Sequence, residues 1–425
     1  MRTPLIAALL FSPTALVAPG IAHAQSLDDR AADAVLVLNG TKPADEVFVP
    51  AFLAAISANE LRALGTTLEA QFGKLLAVEK VAPGSVPGSA TIALRFERAI
   101  GQGVMQLETK EPFRITGLRL TSFDPLGDGP DQIARDLESL PGETSVVLTR
   151  LGDDRPLFAL HADRQLAIGS TMKLYVLSAL AREIGDGKRA WADVVPLGVK
   201  SLPSGQTQAW PDKSPVTLHT LATLMISVSD NTATDTLITL LGHEAIEAEM
   251  RAAGHGQPDL NVPFMTTRQS FLLKGGDTGQ LYTYAHANEM DRKDMLADLA
   301  GAELDSAKIM AAFAEGPRAI DVEWFASADD IARIFARIQA LPDRTALDIL
   351  AINPSLGDAG TRWTYAGYKG GSEPGVLNLS WLLQDKTGAW HVLSMGWNNA
   401  RAAVDQQTFA LIGQRLLRLV PDAVE

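Results

Sequence analysis

Residues 168–180 read Ile168-Gly169-Ser170-Thr171-Met172-Lys173-Leu174-Tyr175-Val176-Leu177-Ser178-Ala179-Leu180. An extended segment ends here and an apolar helix begins. A three-residue offset on a helix puts Ser170 and Lys173 on one face, side chain beside side chain. A serine hydroxyl is a poor nucleophile until a neighbouring base takes its proton, and a desolvated lysine with a depressed pKa can act as that base. Lys173 is the only lysine of the chain with a serine three positions before it. The same residues also read as a Ser N-cap followed by a snorkelling Lys, so the stretch needs company before it means chemistry.

Two further stretches supply that company. Ser229-Asp230-Asn231 follows the helical run 218–226 and precedes Thr232-Ala233-Thr234-Asp235; its plain reading is a helix N-cap. Tyr368-Lys369-Gly370-Gly371-Ser372 runs into an apolar strand over 376–383, and its two glycines let a ligand approach the backbone edge-on. Its plain reading is a turn. Together and in this order, the three resemble the S-x-x-K, S-D-N and K-T-G set of class A β-lactamases and penicillin-binding proteins. The flanks Ile168-Gly169 and Thr232-Ala233, and the separation of Ser170 from Ser229, also look like class A enzymes. The resemblance covers residues 131–425.

The resemblance implies a β-lactamase/transpeptidase-like mixed α/β (α+β) domain, an antiparallel sheet plus a helical subdomain. It also implies roles. Ser170 attacks the acyl carbon, Lys173 takes its proton, Ser229 relays a proton towards the leaving nitrogen or oxygen, and Lys369 holds that relay and a substrate carboxylate electrostatically. Asn231 positions an amide of the substrate, Gly371 and Ser372 line the binding edge, and the oxyanion sits between the backbone N–H groups of Ser170 and Ser372.

The chain departs from the family pattern in two places. Lys386-Thr387-Gly388 spells the third motif literally, yet it falls between the apolar runs 377–383 and 391–397, where a hairpin turn is expected. Lys369, ahead of the first of those strands, is therefore taken as the family's lysine. Gly370 then lacks the family's threonine hydroxyl, for which Ser372 is a replacement. Second, class A enzymes activate the deacylating water with the Glu of a Glu-x-x-x-Asn loop, and this chain contains no such sequence. The nearest look-alike, Gln257-Pro258-Asp259-Leu260-Asn261, offers an amide that cannot accept a proton as a carboxylate can. Residues 274–323 add mostly helical sequence with Glu289, Glu303, Glu315 and Glu323, expected to be exposed helix-face carboxylates. An acyl-enzyme is thus expected to form readily and to hydrolyse slowly, unless a lid residue such as Glu315 or Glu323 substitutes. Three functions share this chemistry: a hydrolase of β-lactams or related amides and esters, a D,D-peptidase or esterase, and a penicillin sensor that acylates once.

Outward from the motifs, a helix over 131–140 stops at Pro141-Gly142, and strands over 144–150 and 157–161 are joined at Gly152-Asp153-Asp154. Helical segments fill most of 170–339, and a closing helix spans 404–419. Strands at both ends with helices between them suggest one mixed sheet backed by a helical domain. Before residue 124, helical spacing over 27–77, with Pro43 and Ser57 as start signals, gives way to strand-like 90–96, 103–109 and 114–120. The turn-rich run Asp124-Pro125-Leu126-Gly127-Asp128-Gly129-Pro130 reads as a linker. The expected organisation is a signal peptide over 1–24, a small α+β accessory domain over 25–126 and the hydrolase domain over 127–425.

The leader reading rests on Met1-Arg2, an apolar stretch over 5–17 and the small-x-small Ala22-His23-Ala24 before Gln25, and it implies a periplasmic or secreted protein. The apolar run is too short and too broken by Pro13 and Pro19 for a membrane span. Formal net charge is −13 with no basic stripe, which argues against nucleic acid as a partner. With Cys 0 there is no disulfide and no thiol nucleophile. The seven histidines show no ligand spacing, so no metal and no cofactor is expected. A small-molecule acyl substrate and a monomer are.

Overall fold

The computed structural model describes residues 21–303, 305–356 and 362–421. The expected signal peptide lies outside these residues except for 21–24, which begin the first helix. The chain divides into two compact units, Met1–Asp128 and Gly129–Glu425.

The first unit sets α1 (Ile21–Leu38), α2 (Pro50–Ala55) and α3 (Ala58–Phe72) with a four-stranded antiparallel meander. Its strands are β1 (Leu75–Pro83), β2 (Ser89–Phe96), β3 (Ala99–Leu107) and β4 (Ile115–Pro125), in that order across the sheet. Ser57 starts α3 through a capping box, its hydroxyl accepting the Glu60 N–H while the Glu60 carboxylate accepts the Ser57 N–H. α3 ends at Gly73 with φ 78, and Leu75 turns into a strand where the apolar spacing predicts helix to residue 77. Phe72 then stacks on Phe123 with ring centroids 4.3 Å apart, which ties the last turn of α3 to the sheet.

The second unit opens with α4 (Pro130–Glu138), β5 (Glu143–Arg150), β6 (Phe158–Leu160) and β7 (Leu166–Ala167). Helical sequence follows as α5 (Lys173–Gly185), α6 (Leu218–Ser227), α7 (Asn231–Leu241), α8 (His243–Ala252), α9 (Thr267–Gly275), α10 (Thr278–His286), α11 (Glu289–Asp298), α12 (Ser306–Ala314), α13 (Ala328–Gln339) and α14 (Thr345–Leu350). It is interrupted by the short strands β8 (Val194–Pro196), β9 (Pro215–Thr217) and β10 (Phe325–Ala326). The chain closes with β11 (Tyr365–Glu373), β12 (Val376–Gln384), β13 (Trp390–Asn398) and α15 (Gln406–Leu417). The main sheet has the order β11-β12-β13-β5-β6, all antiparallel.

β12 and β13 are buried almost end to end, as strands covered on both faces are. On one face Trp381, Leu393 and Met395 pack with Ile133 and Leu137 of α4 and Phe409 and Ile412 of α15. On the other, Val147, Leu382 and Val392 join Leu174 and Leu177 of α5 and Ile331 and Phe335 of α13. Each such fully buried side chain contributes about 1.5–3 kcal/mol of transfer free energy, so α5 is fixed against the sheet from its first turn.

β11 corrects the sequence reading. Residues 368–372 are strand, not a turn leading into one, because Tyr365–Glu373 pairs residue by residue with β12, from Tyr365 opposite Gln384 to Glu373 opposite Val376. It is the edge strand, and its outer rim faces the turn that carries Ser170. Lys386-Thr387-Gly388 lies in the β12–β13 hairpin, where the Asp385 carboxylate accepts the Thr387 and Ala389 N–H groups and Gly388 takes φ 87. Among the described residues no helix is long and apolar enough to cross a membrane.

Candidate active site

Ser170 stands in the 3-10 turn Gly169–Met172 that runs straight into α5. The turn is braced by the sheet behind it. Thr171 donates its hydroxyl to Asn378 Oδ1 of β12 at 3.0 Å, and the Asn398 amide of β13 bonds both the N–H and the C=O of Ala167 at 2.8 and 3.0 Å. Asn378 and Asn398 were not among the sequence candidates, although a polar residue inside an apolar strand is a readable signal.

Two glycines bring β11 against this turn. A Cβ on Gly371 would lie 2.1 Å from the Ile168 carbonyl oxygen and 2.5 Å from Ser170 N. No side chain fits there. Gly169 takes φ 49, and a Cβ on it would stand 3.3 Å from Ser372 N. The backbone amides of Ser170 and Ser372 therefore lie on the two sides of one tight backbone contact.

Lys173, at the first position of α5, is fully buried at 0% exposure, whereas Ser170 is half-buried. Its Nζ donates to the Ser229 carbonyl at 2.7 Å and to Asn231 Oδ1 at 2.8 Å, and lies 3.0 Å from Ser229 Oγ. Burial pushes its pKa well below the ordinary lysine range, and the charge of Lys369 lowers it further against the opposing pull of Asp235 and Asp230.

Ser229 adopts φ 55, a left-handed conformation that costs a non-glycine residue about 1–3 kcal/mol and persists only where its surroundings impose it. Asp230, the next residue, is anchored by four hydrogen bonds. Its carboxylate caps α7 by accepting the Ala233 N–H, and also accepts the N–H groups of Gln206 and Thr207 and the Thr207 hydroxyl. Asn231 follows, buried, its Oδ1 on Lys173 and its Nδ2 donating to the Leu202 carbonyl at 3.1 Å. The structure thus uses the Asn231 amide to orient Lys173. From the edge strand, Lys369 Nζ donates to Ser229 Oγ at 3.1 Å and to the Gly370 carbonyl at 2.5 Å. Burial lowers its pKa to about 7.

Lys173, Ser229, Asn231 and Lys369 therefore form one hydrogen-bonded group, with Ser170 a turn away from Lys173 and Gly371 and Ser372 on the rim. Lys386 is not part of it. Of the four glutamates in residues 274–323, Glu289, Glu303 and Glu315 are exposed as expected, but Glu323 is not: it is buried, 4% exposed. Gln257 is exposed on the loop ahead of the 3-10 turn Pro258–Asn261, while Asn261 is buried and bonded to the Phe325 backbone.

A profile of the β-lactamase enzyme family matches residues 130–345, just over half of the chain. No curated protein matches. Among solved structures, the chain is similar to a β-lactamase from Sphaerobacter thermophilus, with 22% identity over 69% of this chain and 98% of that one and a TM-score of 0.47. It is also similar to a β-lactamase from Desulfarculus baarsii, with 18% identity over 70% and 100% of the two chains and a TM-score of 0.47. A third is PBP-A, with 17% identity over 68% and 93% and a TM-score of 0.47.

Proposed function

The chain belongs to the β-lactamase enzyme family, and on that premise we propose that it is an exported serine hydrolase that works through an acyl-enzyme at Ser170 on β-lactams or related amides and esters. The observation that carries this reading is the buried Lys173, its pKa pushed well below the ordinary lysine range by burial, one helical turn from Ser170 and bonded to Ser229. Neutral Lys173 takes the Ser170 proton as Oγ attacks the acyl carbon. Ser229, between the two lysines, passes a proton to the leaving nitrogen or oxygen. The amides of Ser170 and Ser372 receive the developing oxyanion, a preorganised donor of this kind being worth about 3 kcal/mol. Export rests on the leader-like residues 1–24.

Gly370 favours a second reading, an esterase with the same acyl-enzyme. A side chain there would meet the Tyr368 hydroxyl at 2.1 Å, so the threonine hydroxyl with which relatives hold a substrate carboxylate has no counterpart at this position. Nitrocefin turnover supports a β-lactamase; turnover of a p-nitrophenyl ester alone supports the esterase.

Intact-protein mass spectrometry after exposure to penicillin G tests the shared step. The unsubstituted protein is expected to gain one penicillin, mapped to Ser170, and Ser170→Ala none. An adduct that survives Ser170→Ala overturns the reading.

A further inference from the structure

A second buried charge cluster lies beside the turn that carries Ser170, and none of the three motifs includes it. Lys274, near the end of α9, donates from Nζ to Glu323 Oε1 and to Glu373 Oε1, both at 2.5 Å. Two carboxylates on one ammonium leave a negative charge in excess, and a buried site relieves this by retaining a proton on the pair. Accordingly, burial together with the charge of Glu323 raises the pKa of Glu373 to about 8.

The cluster's position follows from strand geometry. Side chains alternate along β11, so Lys369, Gly371 and Glu373 share a face. Lys369 reaches Ser229, Gly371 lies against Ser170 N, and Glu373 stands two residues further on, about 7 Å along the strand. Glu323 arrives from another direction. β10 pairs with β7, Phe325 opposite Ala167, and the Ile168 N–H continues the pairing by donating to the Trp324 carbonyl at 2.9 Å. The next residue along is Glu323, beside Gly169. The three side chains differ in access: Lys274 is sealed at 0% exposure and Glu323 at 2%, whereas Glu373 retains 10%. Glu323 Oε2 is also occupied by the Trp324 N–H.

We infer that Glu373 takes the proton of the water that hydrolyses the acyl-enzyme, with Lys274 and Glu323 as positioning residues. The inference rests on the acyl-enzyme reading of Ser170. The water oxygen adds to the acyl carbon as its proton passes to the Glu373 carboxylate. The tetrahedral centre collapses, the bond from the acyl carbon to Ser170 Oγ breaks, and Oγ takes a proton back from the Glu373 carboxyl. Water and acyl-enzyme thus give a carboxylic acid, free Ser170 and the starting carboxylate. This assigns to a strand of the sheet the task that relatives give to a Glu-x-x-x-Asn loop.

Stopped-flow nitrocefin kinetics and mass spectrometry of Glu373→Gln test the inference. Acylation should stay within about threefold of the unsubstituted rate, while deacylation falls by about 100-fold or more and the Ser170 ester persists. Hydroxylamine, which attacks esters without a base, should release that ester equally from both proteins. Equal slowing of acylation and deacylation, or unchanged turnover, overturns the assignment. Should Glu373→Gln fail to fold, the unsubstituted protein decides. Its deacylation rate should rise with pH through about 8, the titration of Glu373 beside Lys274 and Glu323, with Arg318 bonded through Nε to the Lys274 carbonyl, and a flat profile overturns the assignment. Nitrocefin turnover that survives Ser170→Ala overturns the acyl-enzyme reading itself; turnover that needs Ser170 yet is unchanged in Glu373→Gln overturns this inference alone.

Discussion

Lys173 and Lys369 converge on a single hydroxyl, their side-chain nitrogens standing 3.0 and 3.1 Å from Ser229 Oγ. Two full positive charges this close and this buried are mutually unfavourable. Burial and the charge of Lys369 push the pKa of Lys173 well below the ordinary lysine range, and burial lowers that of Lys369 to about 7. As pH rises through that value Lys369 loses its charge, and with it the attraction for a substrate carboxylate. kcat/KM for penicillin G should therefore fall above pH 7 by about tenfold per unit at most, while that for an uncharged p-nitrophenyl ester should not fall with it. Parallel pH profiles for the two substrates would remove Lys369 from carboxylate binding.

The two candidate lysines of the third motif are separable by substitution. Lys369→Ala removes a group bonded to Ser229 and should lower kcat/KM for carboxylate-bearing β-lactams by about 100-fold, the scale of a buried charge-assisted contact. Lys386→Ala, in the β12–β13 turn, should behave like the unsubstituted enzyme. The reverse pattern in steady-state kinetics would show that the literal Lys-Thr-Gly is the functional one.

Gly371→Ala and Gly370→Ala form a second contrast. The first sets a methyl group against the backbone of Ile168 and Ser170, which cannot move without displacing Ser170, whereas the second meets the far end of the Tyr368 side chain. Acylation should drop by about 100-fold or more in Gly371→Ala, as misplacement by an ångström does, and change little in Gly370→Ala. Burst rates with nitrocefin measure both.

Asp230 is anchored next to Ser229 by four hydrogen bonds, so its loss should affect stability and chemistry together. Asp230→Ala removes a helix cap and strands the buried N–H and hydroxyl donors of Thr207 along with the Gln206 N–H, a cost of about 3 kcal/mol. Denaturant unfolding gives the first effect and acylation kinetics the second; full stability would mean that the cap is redundant.

What the sequence disclosed and what it concealed have physical causes. Ser170, Lys173 and Ser229 were legible because each sits at a helix start, where spacing along the chain is also spacing in space. Lys369 was chosen over Lys386 because a lysine between two apolar strands belongs to their turn. β11 itself was missed: Gly367, Gly370 and Gly371 depress strand propensity at the places where a Cβ would strike Tyr365, Tyr368 or the nucleophile's turn. β1 was hidden because Leu75, Leu76 and Val78 prolong the apolar spacing of α3. Lys274, Glu323 and Glu373 had no local signature at all. Their bonds join residues 49 and 99 positions apart, and Glu323 read as an exposed acid until the fold buried it.

β13 lies between the β11–β12 hairpin that carries Lys369 and β5, which pairs with it from the domain's opposite end. During synthesis, then, the segments bearing Ser170, Lys173 and Ser229 emerge well before the strand that joins them to Lys369. A nascent chain ending short of residue 398 lacks the centre of its sheet, so activity can begin only after the whole catalytic unit has been made.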